Sequence, residues 1–272
     1  MSKAFTNCVR QMGIAFYGLL FAAIASSSVM AEVIAVPMGG DGSSLTQTMF
    51  WESPNAKATL LLIPGGDAKL NLKPTQTDMK NNFYQALRAL TQGANGSEGI
   101  NVVIFDSPQS LDPSPKAYPV SRATKDHLAR IGSIVRFYKQ KTGTPIWLMG
   151  HSNGGISVTE FSRFDDPERS PALLSGLVLS EARNGSRFNE KMPSIPVLFL
   201  HHEKDGCIDA TASSSLRNFE QLKQANKAPT EFKYITGGET QGNPCASGHH
   251  MYYGSEMQMD DALRDFIFSH TL

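Results

Sequence analysis

The stretch at residues 145–155, reading P-I-W-L-M-G-H-S-N-G-G, constrains this chain more than any other. A short apolar run meets Gly-His-Ser-Asn-Gly, and small residues then open a helical pattern. That succession holds a serine on a tight strand-to-helix turn at the end of a sheet. The turn is strained and its neighbours pack closely, so both flanks call for glycine. Gly150 and Gly154 stand there, and Gly155 adds room. A serine hydroxyl is a weak nucleophile at neutral pH. It needs a base, usually histidine, and a third group that fixes the imidazole tautomer. Ser152 is therefore the candidate nucleophile, and the rest of the chain must supply its partners.

The flanking pattern predicts strands alternating with helices. Residues 58–63 (A-T-L-L-L-I), 100–105 (I-N-V-V-I-F), 146–149, 177–179 and 195–200 (I-P-V-L-F-L) are apolar runs. Such runs suit strands buried on both faces, as in a parallel sheet. Residues 32–36 and 48–52 read as two short strands around a Gly-Asp-Gly turn, and 230–236 as a last strand. Helical spacing of apolar residues places helices at 78–92, 121–141 (closed by Gly143) and 156–164. Two more follow around Leu216, Phe219 and Leu222, and around Met259, Leu263, Phe266 and Ile267. The fold class is α/β, a mostly parallel sheet covered by helices on both faces. The short gap between the strands at Leu177 and Ile195 leaves little or no room for an inserted lid.

On an open α/β sheet of this kind the expected order is serine, acid, histidine. Asp205 lies in a loop at the C-terminal end of the 195–200 strand, where sites form in such sheets, and is the preferred acid. Asp209 suits a cap on the following segment, and Glu181, also after a strand end, is the weaker candidate. The base belongs in the late loop Gly248-His249-His250-Met251, and either imidazole could serve. His127 is expected to lie on or pack against its helix, His201 and His202 to line the site, and His270 to be solvated. A developing oxyanion needs backbone donors. Asn153, directly after the nucleophile, supplies one; the Pro64-Gly65-Gly66-Asp67 loop supplies the other, through Gly66 or its neighbour Asp67.

The N-terminus is expected to leave the protein. Lys3 and Arg10 precede an apolar stretch at 13–25, followed by small residues ending in Val-Met-Ala at 29–31. This is the layout of a secretory signal peptide over 1–31, with the mature domain over 32–272. The apolar run is shorter than the roughly 20 residues needed to span a bilayer, so no stable membrane span is expected after removal. Cys8 leaves with the peptide, and Cys207 and Cys245 remain. An even count in an exported chain points to one disulfide, which would tie the acid loop to the base loop. With 25 basic and 25 acidic side chains, no charge field calls for nucleic acid.

Together, P-G-G at Pro64, G-H-S-N-G at Gly150, H-H-E-K-D at His201 and H-H-M-Y-Y-G-S-E at His249 resemble the α/β-hydrolase superfamily over nearly the whole mature chain. More narrowly the chain is similar to secreted bacterial serine hydrolases of poorly defined substrate. Those tend to carry a Cys after the acid, a Pro-Cys before the histidine and H-G-F-x-G-x-E at the end. Pro244-Cys245 fits, and Gly254 and Glu256 align the tail if His250 is the base. Met251 and Tyr252 replace the usual Gly-Phe, which leaves His249 open. The resemblance implies an eight-strand sheet and hydrolysis through an acyl-serine. The expectation is a periplasmic or extracellular serine hydrolase with a Ser152–His250–Asp205 triad, acting on a small ester. Amide or peptide hydrolysis by the same triad, and a binding protein on a hydrolase scaffold, are the alternatives. No metal or organic cofactor is called for.

Overall fold

The apolar runs become the interior of one sheet. The structure, a computed structural model, describes residues 31–38, 44–93, 97–111, 120–163, 171–188 and 194–271. The expected leader before residue 31, the Gly-Asp-Gly turn and most of the proline-rich loop at 111–119 lie outside the described residues. Eight strands form the sheet: β1 (Ala31–Pro37), β2 (Leu45–Trp51), β3 (Ala56–Ile63), β4 (Gly99–Asp106), β5 (Ile146–His151), β6 (Leu174–Ser180), β7 (Val197–His202) and β8 (Thr230–Ile235). Their order is β1-β2-β4-β3-β5-β6-β7-β8. β1 and β2 pair antiparallel, as do β2 and β4; every other pair is parallel. All residues of β4 and β5 are buried, which is why they read as continuous apolar runs rather than alternating ones.

Among the described residues, five α-helices cover the two faces: α1 (Asn82–Leu87), α2 (Lys125–Thr142), α3 (Gly154–Phe161), α4 (Ala212–Ala225) and α5 (Glu256–Ser269). Alternation along β3 divides the core. Leu60 and Leu62 pack with Phe83 and Leu87 of α1 and Leu263 and Phe266 of α5. Leu61 and Ile63 pack with Ile131 and Val135 of α2 and Val158 and Phe161 of α3. Truncating any of these leucines to alanine should cost about 2–5 kcal/mol through lost burial and the cavity left behind.

The first helix starts later than its apolar spacing suggests. Asn81 is the cap: its side chain accepts from Phe83 N at 2.9 Å. The segment then tightens into a 3₁₀ turn at Arg88–Thr91. α2 likewise begins at Lys125, capped by the Thr124 side chain, after a separate 3₁₀ turn at Val120–Ala123. Gly143 closes it in the left-handed region at φ 68°. The described residues between β6 and β7 contain no helix.

Candidate active site

The C-terminal ends of β5, β6 and β7 set the site. Ser152 follows β5 directly and takes φ 54°, a conformation that side chains rarely adopt. Its backbone is held on both sides: its N–H donates to Ser180 O at 2.9 Å, and its carbonyl accepts from Gly155 and Arg183 N–H groups. The elbow tolerates no side chain behind it, since a Cβ on Gly154 would lie 2.0 Å from Ile63 O.

Asp205 sits in the loop after β7, and His250 in a 3₁₀ turn, Gly248–Met251, before α5. His250 Nδ1 lies 2.7 Å from Asp205 Oδ2, and neither side chain is exposed to solvent. Asp205 Oδ1 accepts from Cys207 N–H at 2.9 Å. Burial opposes the charge on Asp205, but hydrogen bonds with His201 and His250 outweigh it and hold the carboxyl well below the usual carboxylate range. The opposite nitrogen, His250 Nε2, is buried and has no hydrogen-bond partner among the described residues. His250 and Ser152 line one cavity of about 190 Å³ with Tyr84, His151 and Met251. Ser152 also lines a second cavity of about 210 Å³, with Asn153, Arg183, Asp209 and both cysteines.

The neighbouring histidine has a different place. His249 stacks on His202 with ring centroids 4.2 Å apart, and its Nδ1 meets Lys204 O at 3.1 Å. Asp209 is directed at Arg183, 3.6 Å away, and not at the imidazole. His127, expected on or against its helix, is buried and bonded to Ser157 Oγ at 2.8 Å. His201 and His202 are both buried behind the acid loop. His270 is partly covered, packing on Phe266.

Glu181 was the weaker acid candidate, and the structure sets it close behind Asp205. One carboxylate oxygen of Glu181, one of Asp205 and a ring nitrogen of His250 lie within 4.8 Å of one another. Glu181 Oε1 accepts from His202 N–H at 2.6 Å, and its Oε2 lies 3.0 Å from His201 Nε2. That nitrogen also lies 3.1 Å from Ala210 O, which can only accept, so His201 Nε2 carries a hydrogen. Burial pushes the Glu181 carboxyl up to about 8. A neutral carboxyl beside an ionised one is how two close, buried acids coexist. His151 and Tyr252 complete the layer behind the site. His151 Nδ1 meets Ser180 Oγ at 3.1 Å, and burial, then His250, keeps this imidazole well below its ordinary value. Tyr252 Oη bonds Ser180 Oγ at 2.9 Å and Leu200 O at 3.3 Å, fastening the base loop to the sheet.

The Cys207–Cys245 disulfide is formed, closing a loop of 38 residues in sequence. Opposite it, the loop at 64–67 approaches Ser152. A Cβ on Gly65 would come within 2.8 Å of Ser152 Cβ, and Gly66 occupies the left-handed region at φ 53°. The amides of Gly66 and Asn153 donate to no described acceptor and flank the cavity beside Ser152. Arg122, which no sequence pattern singled out, lies behind this loop with NH2 2.8 Å from Gly66 O.

No family model matches the chain, and no curated protein matches it in sequence. Its fold is similar to solved structures of low identity. An esterase of Pyrococcus furiosus aligns at 9% identity over 90% of this chain and 94% of the other, with TM-score 0.59. The dienelactone hydrolase of Anabaena variabilis aligns at 10% identity over 89% and 98%, with TM-score 0.58. A serine hydrolase of Xanthomonas campestris described as lacking a lid aligns at 15% over 88% and 94%, with TM-score 0.54. At such identities the likeness is one of fold.

Proposed function

We propose that this chain, which has the α/β-hydrolase fold, is an exported serine hydrolase acting on small carboxylic esters. The observation that carries the reading is the buried 2.7 Å contact of His250 Nδ1 with Asp205 Oδ2, with Ser152 strained on its elbow in the same cavity. In this reading Asp205 fixes the tautomer with Nδ1 protonated, so Nε2 is free to accept the Ser152 proton. Ser152 Oγ attacks the substrate carbonyl carbon as that proton moves to Nε2. The Gly66 and Asn153 amides stabilise the resulting oxyanion. Collapse breaks the bond to the leaving alcohol, which takes the proton from Nε2. Water, deprotonated by the same nitrogen, then attacks the acyl-serine, and a second collapse frees the acid and Ser152.

The two cavities lined by Ser152, of about 190 and 210 Å³, suit small acyl and alcohol groups. The disulfide fits export to an oxidising compartment, periplasmic or extracellular, after removal of residues 1–31. The test is a series of p-nitrophenyl esters of graded acyl length, run beside aminopeptidase and amide substrates. Turnover is expected on the short esters, abolished in Ser152→Ala. Turnover confined to amides would favour the peptidase alternative, and folded protein inactive on every substrate would remove the reading.

A further inference from the structure

Arg122 lies in the 3₁₀ turn ahead of α2, and its side chain is fully buried. NH1 donates to Ser157 Oγ on α3 at 2.9 Å. NH2 points at three consecutive carbonyls of the glycine loop: Pro64 O at 3.2 Å, Gly65 O at 3.4 Å and Gly66 O at 2.8 Å. Two further donors share the task. Asn153 Nδ2 reaches Gly66 O at 3.1 Å, and Ala68 N–H reaches Gly65 O at 3.0 Å.

A peptide unit is planar and trans, so its carbonyl and its N–H point in opposite directions. The Gly65 carbonyl shares a unit with the Gly66 N–H, and the Gly66 carbonyl shares one with the Asp67 N–H. Pinning both carbonyls inward therefore turns both amides outward. Neither amide donates to a described acceptor. Left to itself, a Pro-Gly-Gly loop has wide conformational freedom, so these amides would not hold one direction. A guanidinium on the carbonyl oxygens also polarises each unit toward a stronger N–H donor.

We propose that Arg122 is a positioning residue that holds the oxyanion-binding Gly66 amide in place by gripping the carbonyls of its loop from behind. The proposal rests on the serine-hydrolase reading above. Arg122 touches no reacting atom; it acts through the direction and strength of the loop amides. It should therefore matter in the transition state, when negative charge reaches the oxyanion, and little for substrate binding.

The experiment compares Arg122→Lys and Arg122→Met with wild type on one p-nitrophenyl ester. Rates are expressed per active site, titrated with a fluorophosphonate, and Ki is measured for a trifluoromethyl ketone that forms a tetrahedral adduct. Arg122→Met is expected to lower kcat by about ten- to hundred-fold, approaching the loss seen when a single oxyanion donor is removed. KM should stay within about threefold, and Ki should weaken in proportion to kcat/KM. Arg122→Lys, with one ammonium for three carbonyls, should fall between. Hydrogen exchange at the Ala68 amide, which donates to Gly65 O, should quicken in both variants, a readout that needs no turnover. If either Arg122 variant fails to fold, Ser157→Ala, which removes the Oγ that Arg122 donates to on α3, is read by the same measures. Inactive wild type with quickened exchange in the variants would fail the hydrolase reading and keep the clamp. Variants with kcat and Ki within twofold of wild type, or exchange unchanged, would overturn the clamp.

Discussion

Breaking the Cys207–Cys245 bond should weaken both the fold and the reaction, and the two losses can be separated. The bond closes 38 residues of sequence, a loop that carries α4 and β8. In the chain-entropy model, closing a loop of that length removes about 13 cal/mol/K from the unfolded chain, or about 4 kcal/mol at 25 °C. For a domain of this size each kcal/mol moves Tm by about 2–4 °C, so the expected fall is about 8–16 °C. The assay is thermal unfolding of Cys207→Ala/Cys245→Ala beside reduced and oxidised wild type. Reduced wild type matters because Cys207 is only 2% exposed, and alanine there also removes buried contacts. The functional loss has a separate cause. Cys207 N–H holds Asp205 Oδ1, and Cys245 precedes the turn that carries His250. Without the bond the acid and base loops can slip, and a misplacement of about 1 Å costs up to about 100-fold. A Tm change under about 2 °C would refute the stabilising role. A full loss of Tm with kcat/KM unchanged below the transition would refute the claim that the bond keeps acid and base in register.

Other expectations concern the buried acids and histidines. His250→Ala should lower kcat by about 10⁴-fold or more, whereas His249→Ala, which loses a stack on His202, should stay within about tenfold; steady-state kinetics on one ester decide between them. Asp205→Asn should cost about 10⁴-fold with the fold intact, because it presents the wrong tautomer of His250. Glu181 titrates in the folded protein near 8 against an ordinary 4.5, so folding favours its protonated form and wild-type stability falls as pH rises through that window. Glu181 is faced by His201, Asp205 and Tyr252, and removing its titration with Glu181→Gln should widen the Tm advantage of the variant as pH rises from about 5 to 8. A difference in Tm that is flat with pH would contradict a protonated Glu181.

The sheet was legible because strands buried on both faces carry unbroken apolar runs, as β4 and β5 do. The Ser152 elbow was legible because close packing at Gly154 and the strain at Ser152 demand particular residues at fixed spacing. The choice between His249 and His250 was not, since a 3₁₀ turn sends adjacent side chains in different directions and composition says nothing about which faces inward. Tyr252 looked like a departure from the resembled pattern. Its hydroxyl bonds Ser180 Oγ and Leu200 O, a contact across the sheet that sequence spacing cannot show. The closeness of Glu181, a weaker acid candidate by its place after a strand, to Asp205 was hidden for the same reason, as was Arg122 altogether. Glu181 approaches Asp205 from the next strand, and Arg122 grips main-chain carbonyls, which leave no signature in residue type.

The central claim is that Ser152 is an activated nucleophile. Treating the purified full chain with a fluorophosphonate and locating the adduct by peptide mass spectrometry tests it most directly. One adduct per chain, on Ser152, absent from Ser152→Ala and much slowed in His250→Ala, is the result expected. Folded protein that stays unlabelled, or that carries its adduct on another residue, would contradict it.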